Sequence, residues 1–130
     1  MKSRDNLLRL KHFQVQDRTR QLAQIDMMIH EMTRMSDDLQ AQIRIEEEKS
    51  GISDVSHFAY PTFAKAARQR HENLLVSIRD LNDKRQAAED ALGEAEEDLK
   101  KAQALESRDG TSAVSDQVVD AQVERRAMIG

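Results

Sequence analysis

Few side chains in this 130-residue sequence have chemistry to offer, and they are widely scattered. Its four histidines are His12, His30, His57 and His71. None lies four residues from another, so no helical turn pairs two imidazoles for a metal ion. Phosphate chemistry needs a glycine-rich loop, zinc hydrolysis an H-E-x-x-H helix and acyl transfer a G-x-S-x-G elbow. None of these motifs is present. Carboxylates gather at residues 46–48 and at Glu94, Glu96, Glu97 and Asp98. An acid–base pair, however, needs a cleft that shifts its pKa values. These runs read instead as solvated faces and ion-pair partners. Lys65, Arg68 and Arg70 make a small basic cluster suited to an acidic partner or to plain solvation. With no cysteine, thiol and disulfide chemistry are excluded, which fits a reducing compartment. The expectation is a chain with no catalysis, no cofactor, no metal and no small-molecule substrate.

The elements that position these groups follow from composition and periodicity. Charged residues are 34% of the chain and aromatics 3%, with one proline and four glycines. A globular core would lack the large rings that dominate burial, and a strand-rich fold would lack turn residues. Long helices or disorder remain, and a heptad repeat decides for helices. With Leu8 at position a, the a series is Leu8, Val15, Leu22, Ile29, Ser36 and Ile43. Its d series is Lys11, Arg18, Ile25, Met32, Leu39 and Glu46. A second run has Ala64, His71, Ile78, Arg85, Leu92 and Leu99 at a, with Ala67, Leu74, Leu81, Ala88, Ala95 and Ala102 at d. The alanines of the second seam permit close approach, and the bulkier residues of the first fill the gap.

Between the runs lies EEEKSGISDVSHFAYP, residues 46–61. Ser50 and Gly51 read as a helix end, Ser53 or Asp54 as the cap of a short turn, and Pro61 as a first-turn proline. The prediction is all-α: an antiparallel two-helix coiled-coil hairpin over residues 1–106. Its helices are expected at about 4–49 and 61–106, with a turn at about 50–60. At 1.5 Å per residue each helix is roughly 70 Å long. Facing residues should have numbers adding to about 110, which sets Leu8 by Ala102, Val15 by Ala95, Leu22 by Ala88 and Ile29 by Leu81. Charge favours the same register. Residues 1–20 carry six basic and two acidic side chains, and residues 89–98, which lie beside them, carry six acidic and no basic ones. Gly110 is expected to break the second helix, leaving 107–130 as a tail that is either disordered or a short helix.

Some positions depart from the repeat. Lys11, Arg18 and Arg85 interrupt the seam, where they fix register or mark a splay. His71 takes a seam slot near the turn; it is read as packed beside Leu39 with a wet ring edge, and alternatively as a pH-sensitive or partner-contacting group. Met27, Met28, Met32 and Met35 crowd nine residues, as seam filling or as an adaptable binding surface. Leu7 and Leu10 widen the apolar stripe beside Leu8. Three of the four aromatics, Phe58, Tyr60 and Phe63, stand at the turn. There they pin the hinge or, with Ala64, Ala67, His71, Leu39 and Ile43, meet a partner.

The phrases MKSRDNLLRLKHFQVQDRTRQLAQIDMMI, SGISDVSHFAYPTFAKAARQR and NLLVSIRDL resemble the FliJ family of flagellar export proteins, in its alphaproteobacterial form. The likeness spans residues 1–106, and the hinge phrase is its most specific part. It implies a cytoplasmic coiled-coil stalk at the flagellar base. Such a stalk binds the hexameric flagellar export ATPase with its open end, residues 1–20 and 90–106. It links that ring to the export gate membrane protein and engages export chaperones. The turn would face the gate or the chaperones. A generic coiled-coil scaffold or secretion chaperone without an ATPase partner is the alternative. A nucleic-acid or membrane-surface binder using residues 2–20 is a further one, disfavoured by the net charge of −4. Residues 1–10 do not read as a secretory signal, no run approaches a membrane span, and no direct membrane insertion is expected.

Overall fold

The computed structural model describes the backbone of residues 2–129 and the side chains of residues 3–108. The chain is an all-α hairpin of two long helices, α1 (Lys2–Ser50) and α2 (Thr62–Ile129). It divides into two compact units. One joins Met1–Thr19 of the chain to Ala91–Gly130, and the other is Arg20–Asp90, which contains the turn.

In both units the heptad seam is the buried stripe. Of the 24 a and d positions of the repeat, 23 are buried or half-buried, and Arg18 is the one that is exposed. Among the described residues, the buried apolar ones of unit two are Ile43, Tyr60, Ala64, Ala67 and Leu81, and those of unit one are Ala95 and Ala102. Ser36, at an a slot, is also buried. No large side chain is fully enclosed among the described residues, as expected of two helices that share a single seam. Cross-helix ion pairs report the register. In unit one Lys11 Nζ lies 3.9 Å from Asp98. In unit two Arg85 Nε donates to Asp26 at 2.5 Å. Both pairs have residue numbers within one of the expected total, and both use a basic residue that interrupts the seam.

The turn is built by local hydrogen bonds. Gly51, with φ at 71°, donates its N–H to Glu47 O at 2.8 Å, which closes α1 with a left-handed cap. Ser50 Oγ accepts from the Ile52 N–H at 3.1 Å. Asp54 Oδ1 accepts from Ser56 N–H at 3.0 Å and from Ser56 Oγ at 2.7 Å, an Asx-type turn. Two further reversals follow, from His57 N–H to Asp54 O and from Tyr60 N–H to His57 O. The Pro61 carbonyl then accepts from Lys65 N–H at 3.0 Å. That makes Pro61 the N-cap of α2, one position before the first-turn site expected for it. Its missing N–H is harmless at either place.

The second helix is longer than the expected 61–106. It passes Gly110, where a break was expected, and runs to Ile129. One glycine costs a helix only about 1 kcal/mol relative to alanine, and no proline accompanies it. The side chains of the tail from residue 109 lie outside the described residues.

Candidate functional site

The turn of unit two holds the densest polar geometry among the described residues. Tyr60 is 7% exposed, and its hydroxyl donates to Glu47 Oε1 at 2.8 Å. The same hydroxyl accepts from Arg68 Nε at 2.8 Å. Arg68 Nη2 completes the triangle with a 2.6 Å bond to Glu47 Oε1, and its guanidinium carbon lies 6.0 Å from the Tyr60 ring centroid. These charge-assisted bonds tie the last turn of α1 to the first turns of α2. Hydrogen bonds from Arg68 and then from Tyr60 hold the Glu47 carboxyl below its ordinary value. Hydrogen bonds to Glu47 and then to Tyr60 push the Arg68 guanidinium up.

The three turn aromatics therefore have different roles. Tyr60 continues the seam one heptad back from Ala67, so its ring points inward. Phe58 and Phe63 fall off the seam and are 97% and 57% exposed. Phe58 stacks on His57 with ring centroids 4.8 Å apart, and the His57 Nδ1 accepts from the Ala59 N–H at 3.0 Å. Of the three rings only that of Tyr60 is buried, and the two phenylalanines are exposed.

The other expected contact residues divide in the same way. Ile43, Ala64 and Ala67 are buried between the helices of unit two. Leu39 and His71 are half-buried. The His71 Nε2 is buried with no hydrogen-bond partner, so that ring nitrogen is not on the wet edge expected for this side chain. In unit one Leu7 and Leu10 are 42% and 49% exposed. Leu7 and Leu8 line a groove with Ala102 and Leu105.

The basic cluster is not a uniform patch. Arg68 is engaged by Glu47, whereas Arg70 lines a groove on the other side of the seam. The Glu47–Arg68 pair was missed because its members are 21 residues apart and flank the turn. The heptad carried the signal, since both occupy position e, and e faces e across an antiparallel pair. Among the described residues no group of three or more His, Asp or Glu side chains is placed to hold a metal ion. No described helix is long and apolar enough to cross a membrane. The site presents exposed rings on a turn braced by Glu47, Tyr60 and Arg68.

No protein family, curated protein or solved structure was found to match the chain.

Proposed function

We propose that this chain is a non-catalytic coiled-coil component of the flagellar type III protein export apparatus. In this reading it is a stalk that binds the export ATPase hexamer and connects it with the export gate and export chaperones. It works in the cytoplasm at the flagellar base. The reading rests on the resemblance of residues 1–106 to the FliJ family, and above all on the hinge phrase at 50–70. The observation that supports it best is the division of labour at the turn. Phe58 is almost wholly exposed on a loop that Glu47, Tyr60 and Arg68 brace. An exposed ring on a rigid support loses little conformational entropy on docking, and aromatic anchors recur in interface hot spots. In unit one the exposed Leu7 and Leu10 offer an apolar contact surface of the kind an ATPase ring would cover.

Deleting the coding segment in the source bacterium and scoring swimming tests the reading. Loss of swimming, restored by the wild-type chain and poorly by a Phe58→Ala, Phe63→Ala double variant, is the expected result. Normal swimming of the deletion strain would refute it. Loss of swimming without any co-purification of the export ATPase would favour the scaffold or chaperone alternative.

A further inference from the structure

The two sides of the unit-two seam are chemically different. On the side of the e positions, Glu47 pairs with Arg68, and Asp26 with Arg85. The groove on that side is lined by Gln40, Arg44, Glu47, Arg68 and Glu72 beside Ile43 and His71. On the side of the g and c positions no ion pair joins the two helices within residues 20–90. That side has a groove of about 480 Å³ with Met35, Leu39 and Leu74 along it, beside Gln42, Asn73 and Ser77. Of the exposed large apolar side chains on the helices of unit two, Met28, Met35, Ile45 and Phe63 are 45–57% exposed at g or c positions and Leu75 is exposed at an e position, while Met27 and Val76 lie at f positions on the outer faces. A helix face of this kind normally packs against another helix layer.

The charges on the groove say what that layer is. Asp38 lines it from α1 and Arg70 from α2. Neither has an ion-pair partner within the chain among the described residues. One acid and one base on opposite sides of an apolar strip form a self-complementary pattern, which an isologous two-fold interface requires. We propose that this face of unit two is a homodimer interface, with Asp38 of each copy meeting the partner's Arg70 over the groove. A dyad along the helices keeps every residue at its own height. In the hairpin register Asp38 stands level with residue 72, two residues or about 3 Å along the axis from Arg70. The arginine side chain spans that offset. The product is a four-helix bundle in which each helix lies antiparallel to the one it covers. Met28, Met35 and Leu74 are enclosed, and the e-side ion pairs stay on the outside. This inference does not depend on the export role.

Charge swapping on the full-length chain tests it. The wild type should sediment as a concentration-dependent dimer. Asp38→Arg places two arginines against each other twice, and Arg70→Asp does the same with two aspartates. Each variant should weaken dimerisation by roughly tenfold or more, with unchanged helical circular dichroism because both sites are exposed. Mixing the two variants should restore the dimer, because every contact is again between opposite charges. The Asp38→Arg, Arg70→Asp double variant should dimerise alone. A Met35→Glu variant, which charges the floor of the groove, should be monomeric in every mixture. A monomeric wild type at all concentrations would overturn the proposal. So would single variants that dimerise as well as the wild type, or a mixture no more associated than its components.

Discussion

The alanines of the second seam make a prediction that separates steric necessity from mere small size. Ala64 is 0% exposed, beside the braced turn, whereas Ala88 is half-buried in the same unit. Leucine at position 64 adds three carbons where no surface is open to solvent. Either the helices separate there or the side chain leaves its preferred rotamer, at a cost of about 1–3 kcal/mol. The added apolar area does not offset this, since it has no void to fill. Leucine at position 88 meets a seam that still has solvent-exposed room, and the change should be neutral or stabilising by up to about 1 kcal/mol. For a unit of this size 1 kcal/mol moves the melting temperature by about 4–8 °C. Thermal unfolding followed by far-ultraviolet circular dichroism should therefore show Ala64→Leu melting at least about 5 °C below wild type and Ala88→Leu at or above it. Equal gains from the two substitutions would refute the close approach of α1 and α2 near the turn.

Other perturbations follow from the same geometry. Leu22→Asp and Leu81→Asp each put a charge in the seam of unit two and should sharply reduce helicity, whereas Asp98→Asn, half-exposed and 3.9 Å from Lys11, should hardly change it. Equal losses from all three would contradict the register. Gly51→Ala forces φ near 71° on an L side chain with nothing within 4 Å of the new carbon, so backbone strain of about 1 kcal/mol should appear undiluted. Gly93→Ala, also in open space but within α2, should stabilise by about 0.5–1 kcal/mol; denaturant midpoints that move the same way for both would refute this. Glu47 has its pKa lowered from 4.5 in the fold, so its contribution is complete above that value and is lost as pH falls below it through the lower folded value. The melting-temperature gap between wild type and Arg68→Met should therefore be largest near neutral pH and close on acidification below 4.5. A constant gap would mean that the ion pair contributes nothing.

Most of the fold could be read from spacing because a coiled coil is nearly one-dimensional. Once Leu8 and Ala64 are placed at a, the seam is determined, and Arg18 alone of its slots escapes burial. Arg18 is a long cation in a seam only two helices thick, so its side chain reaches water without disturbing the packing. Lys11 and Arg85 stay half-buried because Asp98 and Asp26 are within reach. The end of α2 was harder to read. A lone glycine such as Gly110 is a weak stop, since its penalty is about 1 kcal/mol and no proline follows it. At the turn, composition showed where the rings cluster but did not say which ring turns inward. That depended on extending the heptad back to Tyr60, which leaves Phe58 and Phe63 off the stripe. The two unequal sides of the unit-two seam were also present in the sequence, in the e and g positions. They became visible only once ion pairs had formed along one side and not the other.

Contact with the export ATPase is the central claim, and titrating the full-length chain into the purified flagellar export ATPase while following ATP hydrolysis and hexamer formation tests it most directly. Saturable stimulation of both, weakened by Leu7→Ser with Leu10→Ser and unaffected by Asp98→Asn, is the predicted result. An ATPase whose turnover and assembly do not respond to the chain at any ratio would contradict the account.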